Sequence, residues 1–322
     1  MKSATAIAHP NFALIKYWGK SNVSGNIPAM SSLAITLDSM TSETTVSFPH
    51  NLEQDTWMLN GMEQPSLGQI QLPCEHLKKI SQIEQPCLIE STNNFPTAAG
   101  LASSASGIAS LITALDNALG TKLSNQQMVK AAILGSGSAA RSLFSGFVHL
   151  EVVQDQLNCA TIVAAEEWPL NIIVCFTSTK QKTISSRQGM EISRKTSPMY
   201  SDWVRNHQED MELALQAIAA KNFDQLGKIA EQNCLKMHKV MKTSQPPIDY
   251  WNPATYACVD TVKNMQGKGI PVFFTIDAGP QVKIICEPDV CKDVVSLMEK
   301  VPGVQSIIES CLGKGARVIN EQ

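Results

Sequence analysis

Apolar positions recur along this chain with two different periods, and the change from one to the other marks out helices and strands. Residues 103–119 set Ile108, Leu111, Ile112 and Leu115 three and four apart before Gly120, the pattern of a helix closed by a glycine beyond its last turn. Ser124 with Gln127 three residues later predicts a capping box that opens a second helix through Leu134. In the second half, residues 201–220 and 224–240 carry helical spacing, and Asn252-Pro253 starts a helix that ends before Gly267. Short apolar runs at 272–276 and 282–285 predict strands on either side of Asp277-Ala-Gly-Pro280, leaving Asp277 at a strand end. Asn60-Gly61, between residues 56–59 and Met62, predicts a tight hairpin turn because that dipeptide tolerates positive φ. Strand and helix patterns are mixed throughout, which points to an α+β or α/β protein and away from a bundle or an all-β sandwich.

At 322 residues the chain is long enough for two domains, or one large double-layered unit, with a boundary expected near 174–182. Nothing there resembles a flexible linker. The formal charge of -3 and pI near 6.1 provide no basic field, so nucleic acid and anionic membrane are not expected partners. An anionic substrate must then be met by a few local cations and backbone N–H groups. Nine cysteines with no Cys-x-x-Cys pair read as free thiols in a reducing cytoplasm rather than as a disulfide or zinc framework. Residues 1–8 lack the apolar core of a signal peptide. Residues 97–115 are uncharged and superficially resemble a membrane span, but Gly100, Gly107 and four serines make them a loop feeding a buried helix.

Five segments carry candidate chemistry. Residues 93–106 place small side chains before a helix, where exposed N–H groups and the helix dipole favour an anion such as nucleotide phosphate; a tight turn ahead of a core helix uses the same residues. The P-loop pattern and its lysine are absent. Gly135-Ser-Gly-Ser-Ala-Ala-Arg141-Ser142 ends in a guanidinium able to grip a carboxylate or phosphate bidentately, the alternative being a turn and a salt bridge. It also matches Gly-x-Gly-x-x-Ala, but no strand precedes it, which rules out a dinucleotide fingerprint. Ile15-Lys16-Tyr17-Trp18-Gly19-Lys20 offers donors for phosphate oxygens, although by itself it reads better as a surface strand with solvated lysines. Lys180, Lys182, Ser185, Ser186 and Arg187 fit either a phosphate site or a polar loop. Asp277 is a carboxylate in an apolar setting, costly without a partner or a role, unless it caps a turn. The histidines and methionines show no catalytic spacing and read as surface or core.

Five of these segments stand in one order: residues 11–20, 93–106, 135–142, 185–187 and 277–280. In that order, from Asn11 to Pro280, they resemble the diphosphomevalonate decarboxylase family of the GHMP kinase superfamily. The resemblance implies an α+β GHMP kinase fold, with residues 1–176 similar to the second domain of ribosomal protein S5, residues 177–322 a ferredoxin-like α+β domain, and the active site in the cleft between them. It also implies ATP-dependent conversion of mevalonate 5-diphosphate to isopentenyl diphosphate, ADP, phosphate and carbon dioxide, by phosphorylation of the C3 hydroxyl and then elimination. Magnesium would arrive with ATP, with no protein ligand assigned, and the protein would be a cytoplasmic homodimer.

By the same resemblance Ser103 and Ser104 are serines of the nucleotide loop, Ser104 being also catalytic. Pro96, Ala98, Gly100 and Leu101 line that loop, Ser91 and Asn94 the nucleoside end, and Lys182 contacts ATP. Tyr17, Lys20, Ser136 and Arg187 contact the diphosphate, with Trp18, Gly19 and Gly137 in the same segments. Arg141, supported by Asn11, holds the substrate carboxylate, with Ser138 and Ser186 close by. Asp277 faces the C3 hydroxyl, to orient it or take its proton. Gln281 stands where the family pattern has asparagine, a change expected to alter the local turn. The same superfamily includes phosphomevalonate decarboxylases and kinases of the same hydroxyl, and a non-catalytic metabolite-binding homologue is a further alternative. Asp277, Arg141 and Lys20 together favour the full decarboxylase.

Overall fold

A computed structural model describes residues 3–21, 26–95, 103–154, 156–180 and 182–321. The chain opens with strands β1 (Ala4–Ala8), β2 (Asn11–Ile15), β3 (Ser32–Thr36), β4 (Ser42–Ser47), β5 (Thr56–Leu59) and β6 (Met62–Glu63). Helix α1 (Gln71–Ser81), strand β7 (Leu88–Asn93), helices α2 (Ser103–Leu119) and α3 (Asn125–Gly135), and strands β8 (Phe147–Val153) and β9 (Gln156–Val163) follow. The second half has β10 (Asn171–Phe176), helices α4 (Ser186–Thr196), α5 (Tyr200–Arg205), α6 (His207–Ala219), α7 (Phe223–Lys242) and α8 (Pro253–Gln266), then β11 (Val272–Ile276), β12 (Val282–Cys286), α9 (Cys291–Met298), β13 (Ser306–Cys311) and β14 (Arg317–Glu321).

Among the described residues the strands form three sheets, ordered β14-β1-β4-β7-β5-β6, β2-β3-β8-β9 and β11-β12-β10-β13. Helices α1, α2 and α3 pack together, and α2 lies on β1 and β4. A second apolar cluster runs from Phe12, Leu33 and Phe147 through Met211 and Leu226 to Ile172 and Phe273, so one core joins the β2 and β11 sheets. β14 returns from the end of the chain to pair with β1. Burying both faces explains why β2, β3, β11 and β12 are buried at every position and read as apolar runs instead of alternating.

Local signals translate directly. Asn60 at φ 50° and Gly61 at φ 77° make the turn between β5 and β6. Gly120 follows α2 at φ 65°, and both halves of the Ser124–Gln127 capping box precede α3. Asn252 caps α8 with Pro253 in its first turn. The helix expected over 201–220 is instead two, α5 and α6, broken at Asn206. The break brings the rings of Trp203 and His207 to 5.8 Å, edge to face, and lets His207 Nε2 meet the Ser31 carbonyl at 2.8 Å. Tertiary packing thus overrides spacing that continues across the break. Residues 103–115 belong to buried α2, and among the described residues no helix is long and apolar enough to cross a membrane. The nine cysteines are free thiols, with only Cys311 exposed.

Candidate active site

β2, the 135–138 loop, the 3₁₀ turn Ala139–Leu143 and the ends of α2, α4 and β11 converge on a cavity of about 450 Å³. It is lined by Asn11, Tyr17, Trp18, Lys20, Ser103, Ser104, Ser136, Gly137, Ser138, Arg141, Lys182, Ser186, Arg187 and Asp277, all singled out from sequence. Gly19, Ser91 and Asn94 are not among its lining residues. Gly19 has φ +140°, and a Cβ there would fall 1.9 Å from the Tyr200 hydroxyl, so glycine is required by backbone and neighbour alike. Ser91 meets Thr44 Oγ1 at 3.1 Å, and Asn94 accepts from Thr41 N at 2.8 Å and donates to the Ser39 carbonyl at 3.1 Å. Pro96, Ala98, Gly100 and Leu101 lie outside the described residues.

Asp277 follows the last residue of β11 and carries a cation on each oxygen. Lys16 Nζ is 2.6 Å from Oδ1 and Lys283 Nζ 3.2 Å from Oδ2. Burial alone would raise the Asp277 pKa, but the two ammonium groups hold it well below the usual carboxylate range. Burial and the neighbouring Lys16 depress the Lys283 pKa, while Asp277 opposes them. The lysine side chains are 2% and 3% exposed against 27% for Asp277, so the carboxylate is the most exposed of the trio; it lines the cavity together with Lys16. The reading of residues 15–20 as a strand with solvated lysines is corrected here: β2 ends at Ile15, Lys16 is buried by its ion pair, and Lys20 is half-buried.

One helix sets the distance between the two sides of this pair. α7 packs on both β2 and β11. Its Asn233 Oδ1 accepts the Lys16 backbone N–H at 2.7 Å, while Nδ2 donates to Asp210 at 2.9 Å. The next residue, Cys234, accepts the Ile276 N–H on Sγ at 3.2 Å, and one turn further His238 Nε2 meets the Ile276 carbonyl at 3.2 Å. Burial pushes the His238 pKa down to about 3, so the ring is neutral, and its Nε2 sits between the Ile276 carbonyl and the Trp251 indole N–H, which approaches it at 3.3 Å.

Arg141 is 3% exposed. Its Nε donates to Asn11 Oδ1 at 3.0 Å and Nη1 to Ser32 Oγ at 2.7 Å, and its guanidinium lies 5.6 Å from the Tyr17 ring centroid. Asn11 Nδ2 donates to the Ser138 carbonyl at 3.1 Å and Ser142 Oγ at 2.8 Å, which fixes the amide with its oxygen toward Arg141. Among the described residues no carboxylate pairs with Arg141, although burial of its charge lowers its pKa. A buried, oriented cation on a cavity wall is a receptor for an anion.

Ser185 caps α4 through a reciprocal box with Gln188, placing Ser186 and Arg187 in the first turn, where backbone N–H groups lack helical partners. Lys182 Nζ donates to Ser186 Oγ at 2.8 Å and the Ala278 carbonyl at 2.9 Å, tying this turn to the Asp277 loop. Gln281, buried, accepts from Thr177 N at 2.8 Å and donates to the Ser178 carbonyl at 2.6 Å, clamping the same loop to the end of β10.

Lys283 escaped the sequence reading although it carried the signal used for Asp277, a charge inside the apolar run Val282-Lys-Ile-Ile. Asn26 and Asn233 carried none, being ordinary polar residues in polar or amphipathic surroundings.

The fold and this cleft define a two-domain α+β protein of the GHMP kinase class. Residues 8–161 match the diphosphomevalonate decarboxylase-like N-terminal domain, and residues 172–320 match the mevalonate 5-diphosphate decarboxylase C-terminal domain. The chain belongs to the diphosphomevalonate decarboxylase family. It is 32% identical to the diphosphomevalonate decarboxylase of Candida albicans, covering 100% of this chain and 99% of that one. The mevalonate diphosphate decarboxylase of Staphylococcus aureus superposes with a TM-score of 0.92 at 35% identity, over 99% of this chain and 98% of that one. MDDEF in complex with MVAPP, AMPPCP and magnesium does so with a TM-score of 0.91 at 35% identity, over 99% of each chain.

Proposed function

We propose that this protein converts mevalonate 5-diphosphate and ATP to isopentenyl diphosphate, ADP, phosphate and carbon dioxide. The observation that carries the reading is the pairing, in one cavity, of a buried guanidinium that has no acid partner among the described residues, Arg141, with a carboxylate held ionised, Asp277. The first would hold the substrate carboxylate and the second face its tertiary hydroxyl. Lys20, Arg187, Tyr17 and Ser136 would meet the diphosphate, and Ser103 and Ser104, at the start of α2, the nucleotide phosphates.

The C3 oxygen attacks the γ-phosphorus as the bond to ADP breaks, and the hydroxyl proton is released to solvent. A carboxylate whose pKa is held low is a weak proton acceptor, so Asp277 serves better to orient the hydroxyl than to store its proton. Phosphate then leaves C3 with the electrons of the C–O bond, and the negative charge of Asp277 stabilises the positive charge that develops there. The bond to the carboxylate breaks, carbon dioxide departs, and that electron pair becomes the alkene. Magnesium, arriving on ATP, would neutralise phosphate charge; hydroxyl oxygens of Ser103 and Ser104 on the cavity wall are hard donors that fit such an ion.

Two domains, with β10 (171–176) paired into the sheet of the second half instead of closing the first, a cytoplasmic location and a homodimer complete the reading. The free, mostly buried thiols suit a reducing compartment, and closed dimers are the commonest assembly of soluble enzymes. Incubation with ATP, magnesium and mevalonate 5-diphosphate should release carbon dioxide and isopentenyl diphosphate. Absence of both products overturns the reading, and a parallel assay with the monophosphate separates it from a phosphomevalonate decarboxylase or a 3-kinase.

A further inference from the structure

We propose that Asn26 is a further substrate-site residue, whose side-chain carbonyl gathers Lys20 and Arg187 into a two-cation receptor that favours a diphosphate ester over a monophosphate. Asn26 Oδ1 accepts from Lys20 Nζ at 2.5 Å and from Arg187 Nη2 at 2.8 Å. Its Nδ2 donates to the Leu134 carbonyl at 2.8 Å and the Gly135 carbonyl at 3.2 Å. Those carbonyls only accept, so the amide cannot turn over, and its oxygen stays aimed at the two cations. At 7% exposure Asn26 is buried, and it lines the cavity with Lys20 and Arg187.

Two like charges drawn to one point repel each other, and among the described residues neither has a carboxylate partner within ion-pair distance. Burial lowers the Lys20 pKa and the nearby Arg187 lowers it further, as that crowding requires. The chain is folded to produce the arrangement. Ser21 N donates to the Ile27 carbonyl at 3.0 Å, Ala29 N donates to the Gly19 carbonyl at 3.1 Å, and Lys20 bridges to Pro28, so the chain doubles back and sets Asn26 beside Lys20. A Cβ at Gly137 would lie 2.9 Å from both the Asn26 backbone carbonyl and the Tyr17 hydroxyl, so glycine is needed for the loop to close against Asn26.

A neutral oxygen that receives one N–H from each cation leaves their other donors for a ligand, and leaves both charges in place. A diphosphate brings more acceptor oxygens and more negative charge to that point than a monophosphate, so it gains more from having the cations pre-assembled. The inference rests on the proposed reaction only in taking this end of the cavity as the diphosphate end.

Asn26→Ala and the near-isosteric Asn26→Asp test it. In Asn26→Ala, the KM for mevalonate 5-diphosphate should rise about tenfold, with kcat and the KM for ATP within about threefold, and the preference for diphosphate over monophosphate should shrink. Asn26→Asp places a carboxylate between the cations and should raise that KM further. Calorimetry with inorganic pyrophosphate on the intact protein is the second arm, with affinity falling from wild type to Asn26→Ala to Asn26→Asp. Unchanged KM and pyrophosphate affinity in both variants overturn the role, as does an equal loss for ATP and substrate. If wild type binds pyrophosphate and the variants lose it while no decarboxylation is seen, the receptor stands and the proposed reaction falls.

Discussion

Lys16 Nζ and Asp277 Oδ1 lie 2.6 Å apart although 261 positions separate them in the chain, and Lys283 closes on the other oxygen at 3.2 Å. The carboxylate is therefore compensated on its inner side and open toward the cavity, which suits a group that must stay negative beside a reacting carbon. Replacing it by the isosteric Asp277→Asn keeps the shape and removes the charge. Turnover should fall by about 10²-fold or more, with nucleotide affinity changed less than about threefold. Steady-state kinetics beside nucleotide titration checks both, and near-normal turnover would remove Asp277 from the mechanism.

The pair also dictates a pH response. The folded-state pKa of Asp277 is depressed below its unfolded value, so its contribution to stability is fully present above about pH 4 and is lost as pH falls through the folded pKa. Lys16→Met leaves one cation, raises the Asp277 pKa and should bring an acidic limb into the kcat–pH profile at higher pH than in wild type. A profile from pH 4 to 8 that stays superimposable after scaling contradicts this coupling.

Arg141 donates to Asn11 and Ser32 while keeping the rest of its fork toward the cavity. A lysine at this site keeps the charge but has no planar fork with which to satisfy Asn11, Ser32 and a carboxylate together. Arg141→Lys should raise the substrate KM about tenfold or more while the KM for ATP stays within about threefold. Equal changes in both constants would show that Arg141 supports the fold and not the substrate.

Asn233 offers a rescue experiment. Asn233→Ala leaves the buried Lys16 N–H without its acceptor and should cost about 1–3 kcal/mol, read as a lower midpoint in urea unfolding. Asn233→Asp keeps the acceptor but sets its carboxylate face to face with that of Asp210, and should also destabilise. The double variant Asn233→Asp/Asp210→Asn restores one charge and one amide and should recover most of that loss. If the double variant is as unstable as the sum of its parts, the Asp210–Asn233–Lys16 chain is not the link it is drawn to be.

Periodicity, caps and turn dipeptides act within a few residues of themselves, which is why α2, α3, α8, the Asn60-Gly61 hairpin and the strand ending at Asp277 were legible from spacing alone. The break at Asn206 was not, because it goes with a contact from His207 to the Ser31 carbonyl, 176 positions away in the chain. Arg141, Lys20, Arg187 and Asp277 were legible as candidates, since a cation or carboxylate among glycines or apolar residues is locally conspicuous. Residue type announces that a charge is out of place without announcing its partner.

Partnership belonged to the tertiary structure. Lys16 read as solvated until β2 and β11 were brought onto α7, which buried it and supplied Asp277. Asn26 reads as an unremarkable amide until α4 delivers Arg187 from 161 positions away. Ser91 and Asn94 turned toward Thr44, Thr41 and Ser39, which a local reading had no means of finding. Short-range order is written in neighbouring residues, whereas the pKa of a carboxylate and the aim of an amide depend on charges and donors that only folding brings within a few ångströms.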